Sequence, residues 1–188
     1  MNRFYSRVSA LRISISALVA TLMICSCSGA DEIIDRGSLA EHLKQFQSLI
    51  GTWTGDGKMT SEDKVTRVTA TRTCRWINDG NFLAIEKVFH PEGEAPLRHL
   101  TVIGWNPKTK RLFSTGFGAF GGHGRMEWKA TESGWSGTTV RPWICWDGVE
   151  GQMRVMFSKP GKDVHQWAFT LKKADGSFNK GELTMRRK

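Results

Sequence analysis

The chain has 188 residues, a formal charge of +9, and eight Trp and ten Phe against a single Tyr. That aromatic content excludes a disordered chain, and the length fits one domain plus an export segment, about 150 residues being enough to bury a core. The positive charge is spread along the chain and forms no basic cluster interleaved with stacking aromatics, so a nucleic-acid partner is not expected.

Residues 1–27 read as a secretory signal. Arg3, Arg7 and Arg12 precede an apolar run from Ile13 to Ile24, shorter than the roughly 20 residues a membrane span needs. This segment holds no acid, which leaves +6 on the remainder. Two processing sites compete. Ile24-Cys25-Ser26-Cys27 resembles a bacterial lipobox, and Ser28-Gly29-Ala30 resembles the small-x-Ala site of ordinary signal peptidase. Lipidation of Cys27 is the preferred reading, because a small residue precedes it whereas Ile24 precedes Cys25. By the same resemblance, Ser28 after the lipidated Cys points to the outer membrane, on its periplasmic side. Residues 28–37, SGADEIIDRG, are polar and aperiodic. They read as a flexible tether of roughly 15–20 Å.

From Ser38 to Lys58 a short amphipathic helix is predicted to run into the first strand. Ser38 and Glu41 have capping-box spacing. Leu39, Leu43, Phe46 and Ile50 form a stripe at helical spacing, and Gly51 suits the C-terminal bend. Trp53 then opens a strand as a buried residue. The remainder alternates in short runs separated by turns, which argues all-β. About ten strands are predicted, near 51–60, 64–77, 82–90, 98–106, 111–118, 124–131, 134–141, 152–158, 163–172 and 180–187. Asn78-Asp79-Gly80-Asn81, Asn106-Pro107-Lys108-Thr109 and Lys173 to Gly176 supply hairpin turns. Consecutive strands joined by tight turns suit an antiparallel up-and-down barrel spanning 38–188, capped at one end by the helix.

Gly51-x-Trp53, entered from a short helix, resembles the first-strand signature of lipocalins and related calycin barrels. The longer pattern Gly51-x-Trp53-x-Gly55-x-Gly57 is similar to the haem-binding nitrobindins. The opening Leu49-x-Gly51-Thr52-Trp53, with Gly104-Trp105-Asn106-Pro107 later, looks closer to an uncharacterised family of bacterial lipocalin-like domains. The resemblance spans Leu39 to Arg187. It implies that an Arg of the last strand covers Trp53 in a cation–π contact, and Arg186 is preferred over Arg187 for this role. Nitrobindins ligate haem through a His near the chain end. Here Gly181 to Lys188 contains none, so haem is not carried over, although His99 and His165 stand elsewhere.

The remaining candidates come from strand phase and composition. Cys74 and Cys145 are a possible disulfide in an oxidising compartment, or two buried thiols. None of His42, His90, His99, His123 and His165 sits in a zinc-binding spacing, so no metal site is expected. Arg72 shares a phase with Val68, Ala70, Cys74 and Trp76, and Glu86 with Phe82, Ala84 and Val88. If both phases face inward, Arg72 and Glu86 form a pair inside the barrel, either structural or meeting a polar ligand group. The glycine-rich segment Gly116–Gly124, with Phe117, Phe120 and His123, reads as a portal or as a tightly curved barrel corner. Trp143 and Trp146 lie in an aromatic stretch that Pro142 keeps off a central strand; they belong to the barrel mouth or to the core.

Three functions fit. The first is an exported, lipid-anchored binding protein that holds a small, largely apolar molecule in its lumen. The second is a structural or envelope-interaction protein whose barrel is filled by side chains. The third is a small hydrolase or isomerase, against which a single helix and the absence of a nucleophile motif count; no catalytic residue is assigned.

Overall fold

A computed structural model describes residues 41–159, 161 and 163–188. The signal, Cys27, the tether and the first half of the capping helix, including Ser38 and Leu39, lie outside the described residues. Residues 41–43 are α-helical and pass into a 3-10 turn, Lys44–Leu49. That tightening changes the buried face. With three residues per turn, positions i, i+3 and i+6 align, so Leu43, Phe46 and Leu49 are fully buried. Ile50, predicted to share the stripe, is only partly buried; it has already left the helix with an extended backbone. Gly51 follows at φ +123°, a conformation that L side chains rarely adopt.

Eleven strands follow: β1 Gly51–Ser61, β2 Lys64–Ile77, β3 Phe82–Pro91, β4 Leu97–Asn106, β5 Arg111–Phe117, β6 His123–Thr131, β7 Gly134–Thr139, β8 Trp143–Ile144, β9 Glu150–Ser158, β10 Val164–Lys173 and β11 Phe178–Arg187. Every pairing is antiparallel, and β9 pairs with β10 while β10 pairs with β11. The sheet therefore closes on itself as a ten-stranded barrel without a free edge. The two-residue β8 stands apart from that circuit and bridges β6 and β9. The predicted turns are present. Asn78, Asp79 and Gly80 all take positive φ, and Asn106 Oδ1 accepts from the backbone N–H groups of Lys108 and Thr109 at 3.0 and 3.2 Å.

The helical segment plugs the end where β1 begins. Four tryptophans hold it there. Trp53 Nε1 donates to the Leu49 carbonyl at 2.8 Å, Trp76 Nε1 to Gln47 at 3.1 Å, and Trp135 Nε1 to Gln45 at 3.0 Å. The Trp105 indole stacks on His42, with ring centroids 3.7 Å apart. The cation above Trp53 is Arg187, not Arg186: the Arg187 guanidinium lies 4.2 Å from the ring centroid. It also donates to the carbonyls of Ile50 and Ser48 at 2.6 and 2.9 Å. Arg186 points outward to Asp56 at 2.7 Å. Strand phase explains the choice, since Leu183 and Met185 are the buried residues of β11 and Arg187 continues their face.

Candidate functional site

The lumen opens opposite the plug, among the β1–β2, β3–β4, β5–β6, β7–β9 and β10–β11 connections. It encloses about 540 Å³, within the range of small-molecule sites. Phe89, Trp128, Val155, Phe157, Trp167 and Phe169 line its walls. Phe117, Phe120 and Trp146 stand at the rim, 49%, 73% and 69% exposed. Phe120 meets the Trp146 ring edge-on, with centroids 6.4 Å apart.

The glycine-rich segment has a specific packing role here. Gly116 and Gly124 are cross-strand partners, and the Trp143 indole lies over both. A Cβ would meet that ring at 2.9 Å from Gly116 and at 2.6 Å from Gly124. Trp143 is consequently buried against the barrel wall and lines the cavity. His123 is exposed, with Nδ1 3.1 Å from the Gly121 carbonyl oxygen, and is not among the cavity-lining residues.

The proposed Arg72–Glu86 pair does not exist. Arg72 is 1% exposed, whereas Glu86 lies on the outer surface and pairs with Arg75 at 2.9 Å. Register is the reason. In an antiparallel pair, directly opposed residues project to the same face. Cys74 opposes Ile85, and Arg72 opposes Lys87. Thus Leu83, Ile85, Lys87 and Phe89 face inward, and Glu86 faces out. The inward phase of β3 is therefore one residue removed from the one that carries Glu86. Cys74 and Cys145 are both free and buried. They belong to separate clusters, Cys74 in the main core that runs from the plug along the barrel wall and Cys145 with Trp143 and Leu171 near the mouth, and no disulfide joins them.

The register places an unusual row of side chains side by side. Arg187 opposes Trp53, Trp53 opposes Arg72, Arg72 opposes Lys87, and Lys87 opposes His99. The row runs from the plug across five strands to the cavity, which Lys87 and His99 line. Arg72 sits between aromatic faces, with its guanidinium carbon 5.5 Å from the Trp53 centroid and 5.4 Å from that of Phe157. Its Nη2 donates to His165 Nε2, which leaves His165 Nδ1–H to donate to the Gln166 carbonyl at 3.1 Å. Both nitrogens of His165 are thus engaged, and it is not free to ligate a haem. Lys87 Nζ lies 5.4 Å from the Trp167 centroid.

Burial governs the titration of this row. Desolvation, with the nearby Arg72 charge, brings the Lys87 ammonium down to about 8. Burial first, and then a neighbouring cation, bring His99 and His165 down to about 4, the cation being Lys87 for His99 and Arg72 for His165. Both imidazoles are neutral in the native protein near pH 5, whereas the unfolded chain would protonate them. The unfolded state then binds more protons, so stability rises with pH in this window. The contribution is complete above about 6.5 and is lost as pH falls through about 4. It amounts to roughly 3 kcal/mol per histidine. Urea midpoints are expected to fall on acidification over this range, and His165→Gln should flatten the decline. A wild-type midpoint that is constant down to about pH 4 would contradict the assignment.

No protein-family description matches the chain, and no curated relative matches it. Among solved structures, the S-type phycobiliprotein lyase of Guillardia theta aligns with a TM-score of 0.50 at 10% identity, over 80% of this chain and 93% of that one. The chain has a lipocalin-like barrel fold. A redesigned β-barrel bound to DFHBI aligns at a TM-score of 0.39 and 13% identity, over 75% of this chain and 100% of that one. A DUF3598-family protein of unknown function from Nostoc punctiforme aligns at 0.24 and 7%, over 77% and 98%. At these identities the likeness concerns the fold alone.

Proposed function

We propose that this protein is an exported, lipid-anchored carrier that holds a small, largely apolar molecule inside its barrel. The observation that carries the reading is the lumen itself: about 540 Å³, lined mainly by aromatic and aliphatic side chains, plugged at one end and open at the other. A side-chain-filled barrel would leave no such space, so the structural or envelope-interaction reading has less support. The enzyme reading loses its candidate pair, because Arg72 and Glu86 lie on opposite faces of the wall. Export and anchoring rest on Arg3, Arg7, Arg12, the apolar run and Cys27.

Native mass spectrometry of the protein purified from the envelope of its own host tests the reading. Excess mass released on denaturation is expected, together with a polypeptide that begins at an acylated Cys27. A bare, unmodified polypeptide that also takes up no neutral apolar dye would overturn it.

A further inference from the structure

We infer that the lumen is built for an amphipathic anion, with its acidic head held at Lys87 and His99 and its apolar body directed toward the mouth. This inference rests on the carrier reading and names the ligand class.

The head group follows from what surrounds Lys87. No Asp or Glu pairs with it among the described residues. Its cross-strand neighbours are Arg72 and His99. Glu94, the one acid among the described residues that line the cavity, is engaged with Lys64 at 2.7 Å. Three of the four buried unpartnered atoms among the described residues are donors on Arg72 and Trp167; the fourth, Asn179 Oδ1, is an acceptor on β11 beside the β10–β11 turn at the mouth. Arg72, almost wholly buried, has Nε and Nη1 without hydrogen-bond partners, and the buried Trp167 Nε1 has none either. Arg72, Lys87 and Trp167 line one small void of about 10 Å³, at whose border Lys87 and Trp167 also line the main cavity. Buried donors left unpaired are costly, and buried positive charge without a counter-ion more so. A carboxylate accepts several hydrogen bonds and supplies the missing charge. A neutral apolar ligand would leave the charge of Lys87, which lines the cavity, without a counter-ion. The chamber above, walled by Phe157, Trp128, Val155 and Phe169, suits an alkyl or ring body.

The test uses laurate as the probe and methyl laurate as its neutral counterpart. Each displaces N-phenyl-1-naphthylamine, a neutral dye, from the intact mature protein at neutral pH. Wild type is expected to bind the acid at least about tenfold more tightly than the ester, as a charge-assisted contact in a shielded site allows. In Lys87→Met the acid should fall to the affinity of the ester, and Lys87→Arg should restore most of the preference. Circular dichroism confirms that each variant is folded. Equal affinity of acid and ester for wild type would overturn the inference while leaving the carrier reading intact. A preference that survives in folded Lys87→Met would overturn it too, and would move the head group to Lys64, Lys173 or Lys180, the other lysines lining the cavity. If neither the dye nor laurate enters and the purified protein is a bare, unmodified polypeptide, the carrier reading fails, and this inference falls with it.

Discussion

Replacing Trp53 by alanine is expected to cost roughly 3–5 kcal/mol of stability, the usual range for truncating a large buried side chain. The upper half of that range is favoured by what Trp53 touches. Its indole is fully buried and donates to the Leu49 carbonyl, tying the plug to the barrel. Two cations rest on it, Arg187 at 4.2 Å and Arg72 at 5.5 Å, and His165 meets it edge-on at 4.7 Å. Truncation would leave Arg72, which already lacks a counter-ion, facing a void. Trp53→Phe should recover most of the apolar contact and lose about 1 kcal/mol for the missing N–H donor. Urea unfolding checks both. A Trp53→Ala midpoint equal to wild type would mean that the plug end contributes little to cooperative folding.

Gly57→Val is expected to destabilise by about 3 kcal/mol or more, at or beyond the upper end of overpacking costs. A Cβ at Gly57 would lie 1.9 Å from the Glu182 carbonyl oxygen and 2.9 Å from Leu183 Cα. The obstacle is the backbone of β11, which cannot rotate aside as a side chain would. Relief requires β1 and β11 to separate where Gly57 opposes Leu183, and this seam is part of the barrel's closure. Thr54→Val, on the outward face of the same strand, should stay within about 0.5 kcal/mol of wild type. A folded Gly57→Val protein with wild-type stability would show that the β1–β11 approach is looser than described.

Much of the architecture was legible because local chemistry punctuates the chain. Asn78-Asp79-Gly80 and Asn106-Pro107 place their turns without tertiary information, and alternation in β2 put Val68, Ala70 and Cys74 inside, where they lie. The glycines of Gly51-x-Trp53-x-Gly55-x-Gly57 marked a barrel start, but the reason for Gly57, the nearness of β11, belongs to the fold. The failures in the strands share a cause, a period read without its offset, and the one in the helix is a change of the period itself. β3 alternates equally well in either phase, and only the opposition of Cys74 to Ile85 decides which face is inward. The helix stripe moved from Ile50 to Leu49 because a 3-10 turn replaced the α-helix. Arg186 was preferred although Leu183 and Met185 already marked the apolar phase that Arg187 continues. Lys87 is not among the residues that strand phase and composition single out. A lysine two residues from Ile85 and two from Phe89, on their phase, was the available signal. It becomes readable only when that phase is set against β2.

The eight tryptophans divide evenly, and the division has a practical consequence. Trp53, Trp76, Trp105 and Trp135 meet the plug, while Trp128, Trp143, Trp146 and Trp167 line the lumen. Intrinsic indole emission therefore carries two separable channels, one for each end of the barrel. Occupation of the chamber perturbs the second set directly, whereas detachment of the plug wets the first. Comparing the wild-type emission with that of a variant in which one lumen tryptophan is replaced by Phe would separate filling from uncapping without a label.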